Sequence, residues 1–332
     1  MQLDYALYQH PKLITVFGGS GFVGRHVVET LTKRGYRVRI AVRHPQKAYY
    51  MLQIGEVGQT QMLKTNVGHR PSVARALLGA DGAVFLPGSL TQANQSNFQK
   101  IQVDGAQNVS ELTAEAGIPL LYMSALVTNQ NTSSLYARVK LLCEQIVQNT
   151  HSQAIIMRPS VIFGPEDCFF NTLANLSCFL PIIPLFGGGQ NKLQPVYVGD
   201  IAEFILRALE GHVPSGKSYD LGGPQIITFQ NALEHTLKII RRKKTILPMP
   251  FSVGLFMGSL LGTIGKLPLV PTLITAHHIR FLKVDNIVSQ EAIKNGYTLE
   301  GVGITPKAMA AFLPNYLWRF RPQGQFSKKM LI

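Results

Sequence analysis

The feature that most constrains this chain is the run Gly18-Gly19-Ser20-Gly21-Phe22-Val23-Gly24, set between an apolar strand and an amphipathic stretch. Leu13–Phe17 reads LITVF, a short buried strand, and residues 21–34 carry apolar side chains at helical spacing. Gly18, Gly21 and Gly24 keep a G-x-x-G-x-x-G spacing. The first permits a tight turn with positive φ. The second lets the backbone approach a pyrophosphate, and the third lets the helix pack close to the sheet. The helix N-terminus then offers free N–H groups and its dipole to the anion. A glycine triplet alone is an ordinary tight turn. A strand before it and a helix after it, at the start of the fold, make it a dinucleotide site.

The first half of the chain repeats that alternation. Strands are expected at Arg37–Val42, 61–63, 82–86, 119–123 and 155–157, with helices at 95–116 and 136–148. Strands alternating with helices mean parallel βαβ units and an α/β, doubly wound sheet. After Arg158 proline and glycine become frequent, as in Pro159, Gly164, Pro165, Pro181, Pro184 and Gly187-Gly188-Gly189. We therefore expect a dinucleotide-binding domain over 1–158 and a smaller, loop-rich lobe over 159–332. Residues 196–211 are expected to return to the main body as a helix.

The end of the second strand reads the cofactor. An NAD site usually has Asp or Glu there, on the ribose 2′-OH. Here the strand ends in Arg43, and no carboxylate lies between Arg34 and Gly55. A guanidinium suits a 2′-phosphate, with Lys47 and Arg25 as further cations. NADP(H) is favoured over NAD(H), although a solvated basic face gives the same residues.

Ser124 closes the strand expected at 119–123, on the carboxyl edge where ligands bind. Tyr136 and Lys140 follow, one helical turn apart and on one face. A lysine beside a tyrosine favours phenolate and makes the phenol a usable proton donor or acceptor. Ser124 would steady a carbonyl or alkoxide oxygen, and Lys140 would reach ribose hydroxyls. A Tyr-x-x-x-Lys pair alone is a common surface motif. The serine and the glycine turn upstream point this one toward a cofactor.

Composition sets outer bounds. The chain has 332 residues and 46% hydrophobic residues, enough for one large core or a core plus a lobe. Its net charge of +14 suits polyanions, anionic lipid and phosphorylated ligands without choosing among them. Cys143, Cys168 and Cys178 show no metal spacing, and no metal is expected. No signal peptide is read at the N-terminus. The apolar stretch 251–264 is broken by Gly254, Gly258 and Gly262 and is too short to span a bilayer. It reads as a buried helix or one lying on a membrane.

The glycine turn with Ser124, Tyr136 and Lys140 resembles the short-chain dehydrogenase/reductase superfamily in its extended or atypical branch. Arg158-Pro159-Ser160 and Phe163-Gly164-Pro165 resemble the segment that places the nicotinamide there, which implies cofactor contacts at Pro159 and Ser160. Residues 158–171, 184–202 and 313–326 resemble the family of Rossmann-fold accessory subunits of respiratory complex I and their bacterial relatives. The resemblance covers nearly the whole chain. It implies a tightly held NADPH, complex I subunits as partners, a peripheral position near the membrane and no assigned turnover. Localisation is then cytoplasmic, on the inner face of the inner membrane. It also implies adenine contacts at Asn66, where an acidic residue is usual, and at Val67. Leu86-Pro87-Gly88 stands for the usual Asn-Ala-Gly type turn, and Gln102 stands where Asn is common.

Other features are set aside. Arg241-Arg242-Lys243-Lys244 reads as a solvated helix end as readily as a lipid or partner patch. His277-His278 face different ways and have no partner ligand at metal spacing. Trp318-Arg319-Phe320-Arg321 reads as a tail docking on its own domain, with no nucleic-acid motif beside it. Two functions stay open. One is a cofactor-holding subunit or assembly partner of a membrane-bound respiratory complex. The other is a free NADP-dependent reductase, epimerase or dehydratase using Ser124, Tyr136 and Lys140.

Overall fold

The computed structural model describes residues 11–88, 95–126, 135–253 and 284–324, with the backbone alone at 95–99. The turn 127–134, most of the apolar stretch 251–264, and His277-His278 lie outside the described residues.

β1 (Leu13–Phe17) is buried along its whole length, as a strand covered on both faces must be. It pairs in parallel with β2 (Arg37–Val42) and with β4 (Gly82–Phe85); β3 (Thr60–Lys64) continues beyond β2. On the other side follow β5 (Leu120–Met123), β6 (Ile155–Pro159) and, last, β11 (Ser218–Leu221). The sheet of seven thus has the order β11-β6-β5-β4-β1-β2-β3. Strand order reverses at β1, between β2 and β4. In such sheets that is where ligands sit, outside the strands' carboxyl ends. Phe17 is level with both Ala41 and Phe85, so Gly18 leaves the sheet at that point.

The helices are α1 (Phe22–Lys33), α2 (Arg70–Leu77), α3 (Gln95–Glu115) and α4 (Leu135–Thr150), then α5 (Phe169–Phe179), α6 (Val198–Leu209) and α7 (Phe229–Ile240). α8 (Gln290–Asn295) and α9 (Met309–Leu317) follow among the described residues. The doubly wound α/β sheet is the expected one. Two local differences stand out. The helix expected over 196–211 starts at Val198, because β10 (Val196–Tyr197) pairs with β7 (Ile162–Phe163). A pairing with residues far upstream leaves no trace in local periodicity. The seventh strand, β11, is only four residues long and went unread for the same reason.

Compact units divide the chain in two. One comprises Met1–Ser124, Val139–Met157 and Ile201–Tyr219; the other comprises Ala125–Arg138, Arg158–Asp200 and Asp220–Ile332. The second has its own core, built from α5, α7, α9 and β8 (Ile182–Phe186) around Phe170, Leu173, Leu185, Leu233, Leu237 and Leu313. β13 (Thr245–Met249) pairs in parallel with β8.

A buried carboxylate holds this core's corner. Asp167 is 2% exposed and accepts N–H bonds from Phe170 at 2.7 Å and from Gly164 and Asn171 at 3.2 Å. The Tyr316 hydroxyl of α9 donates to the same carboxylate. Burial raises the Asp167 carboxyl above its ordinary value, and these four donors offset only part of that. The chain after α9 is tied as well. Arg319 donates to Asn171 Oδ1 at 2.6 Å, Arg321 to Ile239 O at 2.9 Å, and Arg242 to Phe320 O at 3.0 Å. Tyr316→Phe should lower stability by about 1–3 kcal/mol, because a buried charge-assisted bond is lost with little volume. Thermal unfolding measures it; an unchanged apparent Tm would mean that Asp167 is satisfied without Tyr316.

Candidate functional site

Gly18 adopts φ +75°, donates its N–H to Ala41 O at 3.0 Å, and accepts from the Gly21 N–H at 3.0 Å. A Cβ on Gly24 would lie 2.4 Å from Gly18 O and 2.6 Å from Gly19 C, so α1 lies against the turn only because residue 24 has no side chain. Gly21 differs. A Cβ there would meet only Gly18 O, at 3.2 Å, and otherwise face open space. Phe22 and Val23 are half-buried at the helix start. The first turn has no acidic residue and no side-chain cap, and Arg25 donates the first N–H back to Gly21 O. The N–H groups of Phe22, Val23 and Gly24 therefore precede any intrahelical acceptor. This is a cradle for an anion.

Exposed cations follow β2: Arg43 directly after it, and Lys47 in the 3₁₀ segment Pro45–Gln53. That segment contributes a residue that the sequence reading missed. Tyr50 donates its hydroxyl to Ser20 O at 3.2 Å, and the Arg25 guanidinium lies 6.0 Å from its ring centroid. Its only signal in the sequence was an aromatic pair, Tyr49-Tyr50, beside the basic residues.

Asn66 follows β3, is exposed, and accepts from the Gly68 N–H at 3.1 Å. Val67 is buried against α3, where a Cβ on Gly105 would come within 2.9 Å of Val67 Cγ2. Gly18 and Leu86-Pro87-Gly88 lie side by side, since a Cβ on Gly18 would be 3.3 Å from Pro87 N. Gln102 of α3 is 3% exposed and donates Nε2 to Pro87 O at 3.1 Å. Its Oε1 is buried and has no partner among the described residues.

Ser124 follows β5 and donates its N–H to Met157 O at 2.7 Å. Its hydroxyl, too, is buried with no partner among the described residues. Lys140 is 2% exposed and donates to Met123 O at 3.1 Å, with Nζ 5.7 Å from the Tyr122 ring centroid. A Cβ on Gly88 would lie 3.8 Å from that Nζ. Gly18, Pro87, Gly88, Gln102, Ser124 and Lys140 thus line the carboxyl edge of one unit.

The titration of the pair corrects one expectation. Burial pushes the Tyr136 phenol up to about 12, and no effect of Lys140 offsets it. The Lys140 ammonium donates instead to the Met123 carbonyl at the end of β5, and burial is what moves the phenol. Burial also pulls Lys140 down to about 8, against weaker opposing pulls from Cys143 and Glu144.

Pro159 and Ser160 belong to the other unit, and their polar groups are engaged there. Pro159 O accepts from the Leu126 N–H at 3.0 Å, and Ser160 Oγ lies 2.7 Å from Asn286 Oδ1 and 2.8 Å from Asn286 O. Asn286 in turn donates to Leu126 O at 2.8 Å. Nothing in the local sequence announced that asparagine, 126 residues from Ser160. A cleft of about 830 Å³, lined by Glu29, Lys33, Arg37 and Val57, lies at the amino end of β2. It is the wrong edge for this sheet's ligand.

The donor set fits a dinucleotide: an open cradle at the helix start, and two orphaned acceptors, Gln102 Oε1 and Ser124 Oγ, at the strand edge. The comparisons with known proteins agree. Residues 14–222 match the NAD dependent epimerase/dehydratase family, and the chain belongs to it. It is an NAD(P)-binding protein of the short-chain dehydrogenase/reductase type. It is 28% identical over 318 residues to NADH dehydrogenase (ubiquinone) 1 alpha subcomplex subunit 9 of Arabidopsis thaliana, over 93% of this chain and 78% of the relative. Its likeness to the Mus musculus protein of the same name is 29% over 272 residues, 79% of this chain and 72% of the relative. Among solved structures, UDP-glucose 4-epimerase of Thermotoga maritima superposes with a TM-score of 0.65 at 16% identity, covering 92% of this chain and 97% of that one. That likeness bears on the fold alone.

Lys140 makes stability depend on pH in a stated direction. Its amine sits at about 8 in the fold against 10.5 ordinarily. Between those values the unfolded chain holds more protons, so this residue's contribution to stability rises with pH. Lys140→Met should remove the rise. Apparent Tm of both proteins from about pH 7 to 10 reads it. A difference between them that ignores pH would show that Lys140 is not desolvated.

Proposed function

We propose that this protein is an NADP(H)-holding accessory or assembly subunit of a membrane-bound respiratory NADH:quinone oxidoreductase, complex I. It would associate peripherally at the cytoplasmic face of the inner membrane. The observation that carries the reading is likeness over 93% and 79% of this chain to two proteins named as subunits of such an enzyme, beyond the shared dinucleotide-binding family. Among the described residues no helix is long and apolar enough to cross a membrane. No group of metal-ligating side chains occurs among them either, and none is needed for this role.

In this reading the free N–H groups of Phe22, Val23 and Gly24 take the pyrophosphate, with Gly18, Gly19, Ser20 and Gly21 shaping the turn. Arg43, Lys47 and Arg25 take the 2′-phosphate. Asn66 spends its oxygen on Gly68, which leaves its NH₂ group for the adenine beside Val67. Leu86, Pro87 and Gly88 line the middle of the cofactor, Lys140 holds ribose hydroxyls, and Ser124, Tyr136 and the Pro159–Ser160 backbone flank the nicotinamide end. NADPH would supply a hydride there if a substrate were present. A ligand that binds only the folded chain also stabilises it. A holding role needs no more than that.

The second reading, a free reductase, epimerase or dehydratase, is favoured by one observation: the buried, unpartnered Ser124 hydroxyl in a chain that also keeps Tyr136 and Lys140. With its phenol at about 12, Tyr136 is a proton donor at neutral pH, as a reduction requires.

Titration calorimetry should show tighter binding of NADPH than NADH. Arg43→Ala should weaken NADPH alone, by about tenfold to a hundredfold, the value of a charged hydrogen bond. Gly21→Val should abolish both, since its side chain would fill the open space over the turn while leaving the protein folded. Equal affinities would remove the 2′-phosphate from the reading.

The protein should co-purify with complex I subunits from gently solubilised membranes, and a strain carrying only Tyr136→Phe should respire normally. Lys140→Ala should lower cofactor affinity and stability, whereas Tyr136→Phe should change neither. A respiratory defect in the Tyr136→Phe strain equal to full deletion, with normal protein and cofactor levels, would make the protein an enzyme instead. Proton transfer is worth roughly 10²–10⁴-fold in rate.

A further inference from the structure

In the second unit, β8 and β13 form a two-stranded parallel ribbon, with Ile182 opposite Thr245 and Pro184 opposite Leu247. Strand alternation divides it. Ile183 and Leu185, 5% and 2% exposed, enter the core with Ile246 packed beside them. The other face carries large apolar side chains into water: Ile182 is 49% exposed and Leu247 47%. Phe179, at the end of α5 just before β8, is 73% exposed. Scattered exposed apolar residues are normal, but Ile182 and Leu247 share one face of the ribbon and Phe179 lies three residues before it in the chain, which makes a patch.

The same ribbon carries a concentrated positive charge. α7 ends at Arg241, whose left-handed φ of 54° turns the chain out of the helix. Arg241-Arg242-Lys243-Lys244 then run directly into β13. Arg242 is used on Phe320 O, whereas Lys243 is exposed and Lys244 half-exposed. A helix C-terminus accounts for a cation or two. It does not account for four in a row, nor for the absence of any Asp or Glu between Glu234 and Asp285.

We propose that this face, Phe179, Ile182 and Leu247 flanked by Lys243 and Lys244, docks on the surface of an anionic lipid bilayer. Lysines meet the headgroup charge while the apolar side chains enter the headgroup–acyl boundary, a pairing that a bilayer satisfies over an area without a shaped pocket. In this proposal the ligand is an anionic rather than a neutral surface, and the face lies on the bilayer rather than across it. The inference rests on the peripheral part of the reading above and names the lipid contact that a partner complex alone does not require.

The test uses the purified full chain and flotation with two kinds of vesicle: phosphatidylcholine alone, and phosphatidylcholine with about a third phosphatidylglycerol. The protein should float with the second and scarcely with the first. Lys243→Glu with Lys244→Glu should weaken that partitioning by about 25-fold or more, since each basic residue near such a surface is worth about fivefold. The charge-matched control Lys64→Glu with Arg75→Glu, both exposed and in the other unit, should leave it within a few-fold. Salt should release most of the protein, and Ile182→Asn with Leu247→Asn should abolish the part that salt leaves bound. An unchanged circular dichroism spectrum and thermal transition certify that each variant is folded.

Equal flotation with both vesicles, or a control variant as weak as the patch variant, overturns the proposal. So does binding to neither vesicle, which would assign the face to an acidic protein. Because no partner is present, loss of vesicle binding with co-purification intact sinks this inference and spares the subunit reading. Vesicle binding without co-purification does the reverse.

Discussion

The rest of the first unit depends on one close approach, that of α1 to the turn after β1. Gly18 O and the Gly19 backbone occupy the space that any side chain at residue 24 would need, 2.4–2.6 Å from its Cβ. Backbone atoms cannot yield there as a flexible side chain would. With Gly24 in place, the start of the helix faces the carboxyl end of β1, where strand order reverses. Its unsatisfied N–H groups then need a partner, and the nearest suitable one is an anion. Fold and ligand chemistry follow from the same missing Cβ.

The strand edge beside that turn is built at a cost. Leaving a buried polar atom unpaired costs about 1–3 kcal/mol, and Gln102 Oε1 and Ser124 Oγ are both buried without partners among the described residues. A buried ammonium at Lys140 adds a desolvation penalty, visible as its lowered pKa. A chain selected only to fold would place apolar groups at these points. In the proposed role, a dinucleotide that satisfied these groups would couple the cofactor to stability. Such coupling suits a subunit that holds its cofactor as much as an enzyme that turns it over.

The second unit is organised differently. Its core is apolar and aromatic, and its fixed points are polar hubs joining distant segments. Asp167 gathers Gly164, Phe170, Asn171 and Tyr316, while Asn286 gathers Ser160 and Leu126. These hubs explain why Ser160, expected at the cofactor, has its hydroxyl committed elsewhere. They also explain why the arginines after α9, which mix with aromatics as in a phosphate site, instead bond Ile239 O and Asn171.

What the sequence determined by itself was everything carried by neighbours along the chain. The glycine turn, the strands Leu13–Phe17 and Arg37–Val42, the helix bearing Tyr136 and Lys140, and Arg43 in place of a carboxylate all rest on spacings of a few residues. Their periodicity and stereochemistry are local, so they could be read before any fold was known. The tertiary structure alone decided what depends on distant partners. It paired Val196–Tyr197 with Ile162–Phe163, so that a residue run that looks helical begins as a strand. It brought Tyr50 over Ser20 and set Asn286 against Ser160. It turned the Lys140 ammonium to the Met123 carbonyl and buried the Tyr136 phenol, which burial raises. Hydrogen bonding and desolvation are properties of the packed environment, and no spacing in the chain encodes which carbonyl an ammonium will find or how much water will be left around it.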